Sequence, residues 1–347
     1  MANDKEIRVV VVGAAGEMGS NCVRYCTERG ATVVGAIGRT HHVGDDAGTV
    51  AGIDPLGVTI EPADKLFDVI DEVKPDVVIE ASSNLKNVAP KLEGYAKRGV
   101  NVAMLAEEAY YSKVDMPELT AKIDALAKEH GITVIGMGMQ DVNWSNEAVV
   151  MAANCHKLDA VYGENWCILD HCGAFEIGLV GVNLTEDEFY EYHKDNLYPR
   201  SPFTFSLYEI ADEMGLTVIK EENAKIEPLI ARADYTPEHC DAHPETIAKG
   251  KTIGSALCTT LLTEEGIELT GKFLYSFAQD GQPGEQVWRF TGEPTFTVTT
   301  DDPRPDIGTT TGIVNRLPDI IAAPAGFLTV GDLPKPFFHS HPLPEYL

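Results

Sequence analysis

The chain has 347 residues, 44% of them apolar, and a formal net charge of −27. That length and apolar content suffice for one large or two medium domains with real cores. No apolar run approaches the ~20 residues of a membrane span, and so acidic a surface repels nucleic-acid phosphates and anionic membranes.

The polar start, MANDKEIRV, passes at once into a predicted strand, so no signal peptide is expected. Seven cysteines without a CxxC point to reduced thiols and a cytoplasmic protein. Residues 8–19, RVVVVGAAGEMG, open the chain with four valines that read as a strand buried on both faces, as in a parallel sheet. Gly13, Gly16 and Gly19 then stand at three-residue spacing where the strand would turn into a helix. A dinucleotide-binding turn needs small residues there, because backbone must approach a pyrophosphate at the helix N-terminus. The spacing is GxxGxxG rather than GxGxxG, so position carries the reading. Gly13, Ala14, Ala15, Gly16, Glu17 and Met18 are the candidate cofactor-binding segment. Cys22 and Cys26, one turn apart on the helix that follows, read as packing residues.

Residues 31–38 form the second predicted strand, ending in Gly38-Arg39-Thr40-His41-His42 with no acid until Asp45. An acid here would hold a ribose 2′-hydroxyl, whereas arginine accommodates a 2′-phosphate. The pattern therefore favours NADP, with NAD still possible, and marks Gly38, Arg39 and Thr40 as contacts. A helix over 62–73 and a strand over 76–80 lead to Ala81-Ser82-Ser83, small residues able to border the cofactor. A helix over 88–98, a strand over 101–106, a helix over 117–130 and a strand over 132–136 complete the alternation of a doubly wound parallel α/β sheet.

The pattern then changes. A helix over 143–155 and a strand over 160–169 are followed by Thr185-Glu186-Asp187-Glu188, which fits a capping box. Alternating segments at 225–232, 252–263, 268–277, 286–290 and 295–300 predict a largely antiparallel sheet within an α+β domain. Residues 308–323 are helical again. The tail from Asp332 carries Pro334, Pro336, Pro342 and Pro344 and is expected to lie along a surface, that of a partner subunit being one choice.

Glu107 and Glu108 follow the predicted strand 101–106, at the carboxyl end where open α/β sheets bind ligands. Successive strand residues point to opposite faces, so only one of the two is expected to enter the cleft. Burial beside a cofactor would raise its pKa and make it a usable proton carrier. Trp144, after Gln140-Asp141-Val142-Asn143, could wall a substrate pocket or fill a core. Asp170-His171-Cys172 lacks a second ligand pair, so no metal site is expected; His171 joins Gln140, Asn143 and Trp144 as a candidate for substrate contact. No GxSxG, P-loop or HExxH occurs.

The turn VVGAAGEMG resembles those of dihydrodipicolinate reductases and 2,4-diaminopentanoate dehydrogenases. NVAMLAEEAYY is similar to the second group's strand ending in a paired-glutamate motif, and IGTTTGIVNRLPDIIAAPAGFLTVGDLPKP to its closing helix and Asp-Leu-Pro. The resemblance implies a Rossmann domain over 1–142, a substrate and dimerisation domain over 143–307, and a helix and tail over 308–347 returning to the first. It also implies that Asn315 lies near the nicotinamide and that Glu107 is the catalytic carboxylate. The implied activity is NAD(P)-dependent amine dehydrogenation: reductive amination of a small ketone or keto acid with ammonia, by a homodimer. The chain departs from the diamino acid enzymes at Gln140–Trp144, where they carry Asn-Pro-Gly-Phe. An imine reductase of the dihydrodipicolinate type and a non-catalytic NADP-binding sensor are the alternatives.

Overall fold

A computed structural model describes residues 5–81, 84–171, 174–194, 200–237, 240, 243, 245–278 and 284–347. They form two compact units, the first of residues 1–146 and 306–347, the second of residues 147–305.

In the first unit β1 (Arg8–Val12), α1 (Glu17–Glu28) and β2 (Thr32–Gly38) are followed by α2 (Ala47–Val50), β3 (Ile60–Pro62), α3 (Leu66–Val73) and β4 (Val77–Glu80). Then come α4 (Leu85–Ala96), β5 (Asn101–Met104), α5 (Pro117–His130) and β6 (Thr133–Gly136). The valines of β1 are 0–5% exposed, as a strand covered on both faces requires. Asn84 caps α4, its side chain accepting from Asn87 N, so the helix begins three residues before the predicted start. The predicted strand 101–106 ends at Met104. The predicted helix 143–155 is instead a π-helical turn over Gln140–Asn146 running into a shorter α-helix.

The second unit holds α6 (Glu147–Ala152), β7 (Lys157–Ile168), α7 (Ala174–Val180), α8 (Glu186–Tyr192) and α9 (Phe203–Glu213). It continues with β8 (Val218–Asn223), β9 (Glu227–Ile230), β10 (Thr252–Thr263), β11 (Glu268–Ser276), β12 (Glu285–Glu293) and β13 (Phe296–Asp301). The capping box is present: Thr185 N donates to Glu188 Oε2 at 2.7 Å and Glu188 N to Thr185 Oγ1 at 3.3 Å. The sheet order is β13-β12-β7-β11-β10-β8, with β9 paired to β10; β11 and β7 are parallel and the other pairings antiparallel. Gly163 and Gly271 leave room for Phe203 of α9, which packs edge-on to Trp288 at 5.7 Å.

The chain then re-enters the first unit as α10 (Pro305–Val314), α11 (Leu317–Ala322) and β14 (Gly326–Leu328). One helix was expected here; Asn315 and Arg316 break it into two. β14 pairs with β6, giving seven parallel strands in the order β14-β6-β5-β4-β1-β2-β3. The proline-rich tail packs on its own chain: Leu343 N donates to the Arg29 carbonyl at 2.9 Å, and Pro342 covers Gly30. Among the described residues no helix is long and apolar enough to cross a membrane.

Candidate active site

Gly13, just beyond β1, has φ +86°, a conformation that favours glycine. Its N–H and that of Ala14 both donate to the Ile37 carbonyl, which folds the turn back onto β2. A Cβ on Gly19 would lie 2.0 Å from the Gly13 oxygen, so only glycine lets α1 pack this closely against the turn. Gly16 is the N-cap of α1 and contributes no side-chain cap. A helix N-terminus so presented is suited to phosphate.

Beside it lies a cavity of about 460 Å³ lined by Gly13, Ala15, Gly16, Gly38, Arg39, Thr40 and Ala81, with Lys91 and His41 added to the predicted set. Ala14 is fully buried and faces the core; Glu17 is exposed and Met18 half-buried, and none of the three lines this cavity. Ser82 and Ser83 lie outside the described residues. Lys91 donates to Glu80 Oε1 at 2.5 Å, and the Tyr95 hydroxyl donates to the same oxygen. Glu80 is fully buried. The acid ending the strand DVVIE was the signal for such a partner, since a buried carboxylate needs one.

Glu107 and Glu108 sit on a one-turn 3₁₀ helix, Glu107–Ala109, rather than on a strand. Alternation across a pleat therefore does not separate them, and their partners do. Glu108 accepts from Leu85 N, at the start of α4, at 3.1 Å. Glu107 is open to solvent, yet its carboxyl is pushed up to about 7, first by desolvation and then by the charge of Glu108. Protein packed around an accessible side chain weakens its hydration in this way; neither glutamate lines the glycine-turn cavity.

The turn Gln140–Asn146 carries three more candidates. Trp144 is 2% exposed, so its body is enclosed. On the same turn Asp141 is the buried ionic partner of Arg316 at 3.2 Å, and Arg316 also meets Asp319 at 2.8 Å. Asn143 and Asn315 are brought together on a second cavity of about 360 Å³, whose lining includes Thr311, Arg316 and Phe338. Gln140 lines neither cavity. His171 ends a 3₁₀ turn in the second unit; its side chain is outside the description.

The parallel sheet and the glycine-turn cavity define a dinucleotide-binding fold, and the dehydrogenases it matches make it an oxidoreductase that uses a nicotinamide cofactor. Residues 7–104 match the family described as dihydrodipicolinate reductase, N-terminus, and residues 146–341 that described as 2,4-diaminopentanoate dehydrogenase C-terminal domain. The chain is 26% identical to the 2,4-diaminopentanoate dehydrogenase of Acetoanaerobium sticklandii, over 96% of this chain and 94% of that one. It is 38% identical to the 4-hydroxy-tetrahydrodipicolinate reductase of Methanocaldococcus jannaschii over 28% of this chain and 36% of that one. Among solved structures, an amine dehydrogenase from Mycobacterium smegmatis superposes with a TM-score of 0.85 at 31% identity, over 98% of this chain and 99% of that one. The chain belongs to the 2,4-diaminopentanoate dehydrogenase family.

Proposed function

We propose that this NAD(P)-dependent amine dehydrogenase joins ammonia to a small ketone or keto acid, drawing on NADPH in preference to NADH. In reverse it would deaminate an amine, such as a diamino acid, and it would act in the cytoplasm as a homodimer. The observation that carries the reading is Glu107, a solvent-reachable carboxyl beyond a central parallel strand with its pKa pushed up to about 7. The activities named for the two relatives that match nearly the whole chain support the CH–NH₂ chemistry.

Gly13, Ala15, Gly16 and Ala81 would admit the dinucleotide's pyrophosphate, and Arg39 and Thr40 a 2′-phosphate. Asn315 is assigned to the nicotinamide end; Gln140, Asn143 and His171 to the substrate. When bound, the nicotinamide supplies the hydride. The chain's share is placement and proton handling. As a carboxylate, Glu107 takes a proton from the incoming ammonium, and its charge offsets that of the iminium formed from substrate. Ionisation near neutrality suits it to return that proton to the hydroxyl of the ammonia adduct, which leaves as water as the iminium forms.

The test is ammonia-dependent loss of NADPH absorbance across a panel of ketones and keto acids. Turnover that ignores ammonia, or none with any carbonyl compound, overturns the reading. Cofactor preference is tested with Arg39→Ala. It is expected to weaken NADPH by about 1–3 kcal/mol, the scale of a charge-assisted phosphate contact, and to spare NADH. Equal weakening of both would count against a 2′-phosphate contact.

A further inference from the structure

The 3₁₀ turn that carries Glu107 has little to hold it by itself: Ala109 N donates to the Ala106 carbonyl and Tyr110 N to that of Glu107, at 3.0 and 3.1 Å. Its rigidity comes from outside. Gly136, the last residue of β6, lies so close beneath that a Cβ there would fall 2.3 Å from the Ala109 carbonyl carbon and 2.6 Å from Tyr110 N. Glu108 ties one side to α4 through Leu85 N. On the other side the Tyr110 hydroxyl donates to Ser145 Oγ at 2.7 Å and has the Gln140 carbonyl oxygen at 3.1 Å. Tyr110 is 1% exposed and Ser145 fully buried.

Gln140 and Ser145 belong to the π-helical turn that also bears Asn143 and Trp144. Such turns are rare and are found frequently at functional sites. Its two ends converge on one phenol, which is itself only three residues from Glu107.

We infer that Tyr110 is a positioning residue: through Ser145 and the Gln140 carbonyl it locks the glutamate turn to the substrate-side turn and fixes where the Glu107 carboxylate stands during proton transfer. The inference rests on Glu107 as the proton carrier. A buried tyrosine serving stability alone would satisfy the same hydrogen bonds, so the two roles are separated by what moves when the hydroxyl is removed. In a positioning role the carboxylate is displaced and rehydrated; in a structural role only the melting temperature changes.

Tyr110→Phe keeps the ring and removes the hydroxyl, and Ser145→Ala removes the opposite partner. Each is expected to lower kcat by ~10- to ~100-fold, the scale of a misplaced reacting group, with ketone KM and NADPH affinity little changed. The pH limb of kcat, read at saturating ammonium, should move below pH 7, because desolvation is the first cause of the raised Glu107 pKa. The double variant should be no worse than either single one. On a Glu107→Gln background, Tyr110→Phe should cost no further turnover. Independent, additive losses overturn the inference, as does a lower melting temperature with kcat and the limb unmoved. Retained activity in Glu107→Gln itself would instead remove the proton-carrier reading on which the inference stands.

Discussion

Glu107→Gln is expected to lower turnover by at least ~100-fold, the lower end for general acid–base catalysis, while NADPH binding stays nearly intact. Glutamine keeps the shape and most of the hydrogen-bonding capacity but can neither take a proton nor carry charge. In the parent enzyme the carboxylate is the working form, so activity should rise with pH through about 7, and the variant should lose that limb. The stability sign runs the other way. The folded-state pKa is raised above the ordinary 4.5, so ionising the carboxyl between about 4.5 and 7 costs the folded protein stability. The variant escapes this cost, and its melting temperature should not fall above pH 7. Lost activity without lost stability is then chemistry. Glu108→Gln should be milder, because the amide oxygen can still accept from Leu85 N. If Glu108→Gln were the inactive one, the roles of the pair would be exchanged.

Trp144→Ala is expected to destabilise the protein by about 3–5 kcal/mol, the range for emptying a large buried aromatic site. Only 2% of Trp144 is exposed, and it sits on the turn that also carries the buried Asp141. Thermal melting measures the cost, and a ketone panel run beside it shows what else the indole does. A variant that melts like the parent yet accepts bulkier ketones would make Trp144 a pocket wall rather than a core residue.

What the sequence made legible was what local pattern dictates. The valine run, the glycine turn, the βα alternation and the Thr185–Glu188 box each state their structure within a few residues. The glutamate turn was harder. NVAMLA is apolar throughout, so nothing local says that pairing stops at Met104; the strand ends where Gly136 brings β6 under the Ala109 backbone, a tertiary cause. The π-helical form of Gln140–Asn146 is likewise fixed from a distance, by Tyr110 and by Arg316. β14 has three residues, too few for any periodicity. Lys91 and His41 were passed over because only the folded chain brings them beside the glycine turn.

The seam between β6 and β14 has a consequence for biosynthesis. Thr133 of β6 pairs with Gly326, and its hydroxyl reaches the Ala323 carbonyl, 190 residues further along the chain. At ~5–20 residues per second, translation leaves that partner missing for about 10–40 s. Throughout that interval β6 is the nascent sheet's open edge, with Val134 and Ile135, later 1% and 0% exposed, available to any passing strand. The second unit, contiguous in sequence, has no such wait. Chains stopped after Pro305 are therefore expected to aggregate through the first unit, which light scattering would detect. Supplying residues 306–347 as a separate peptide should suppress it; scattering as low as that of the whole chain would show that the edge is protected by other means.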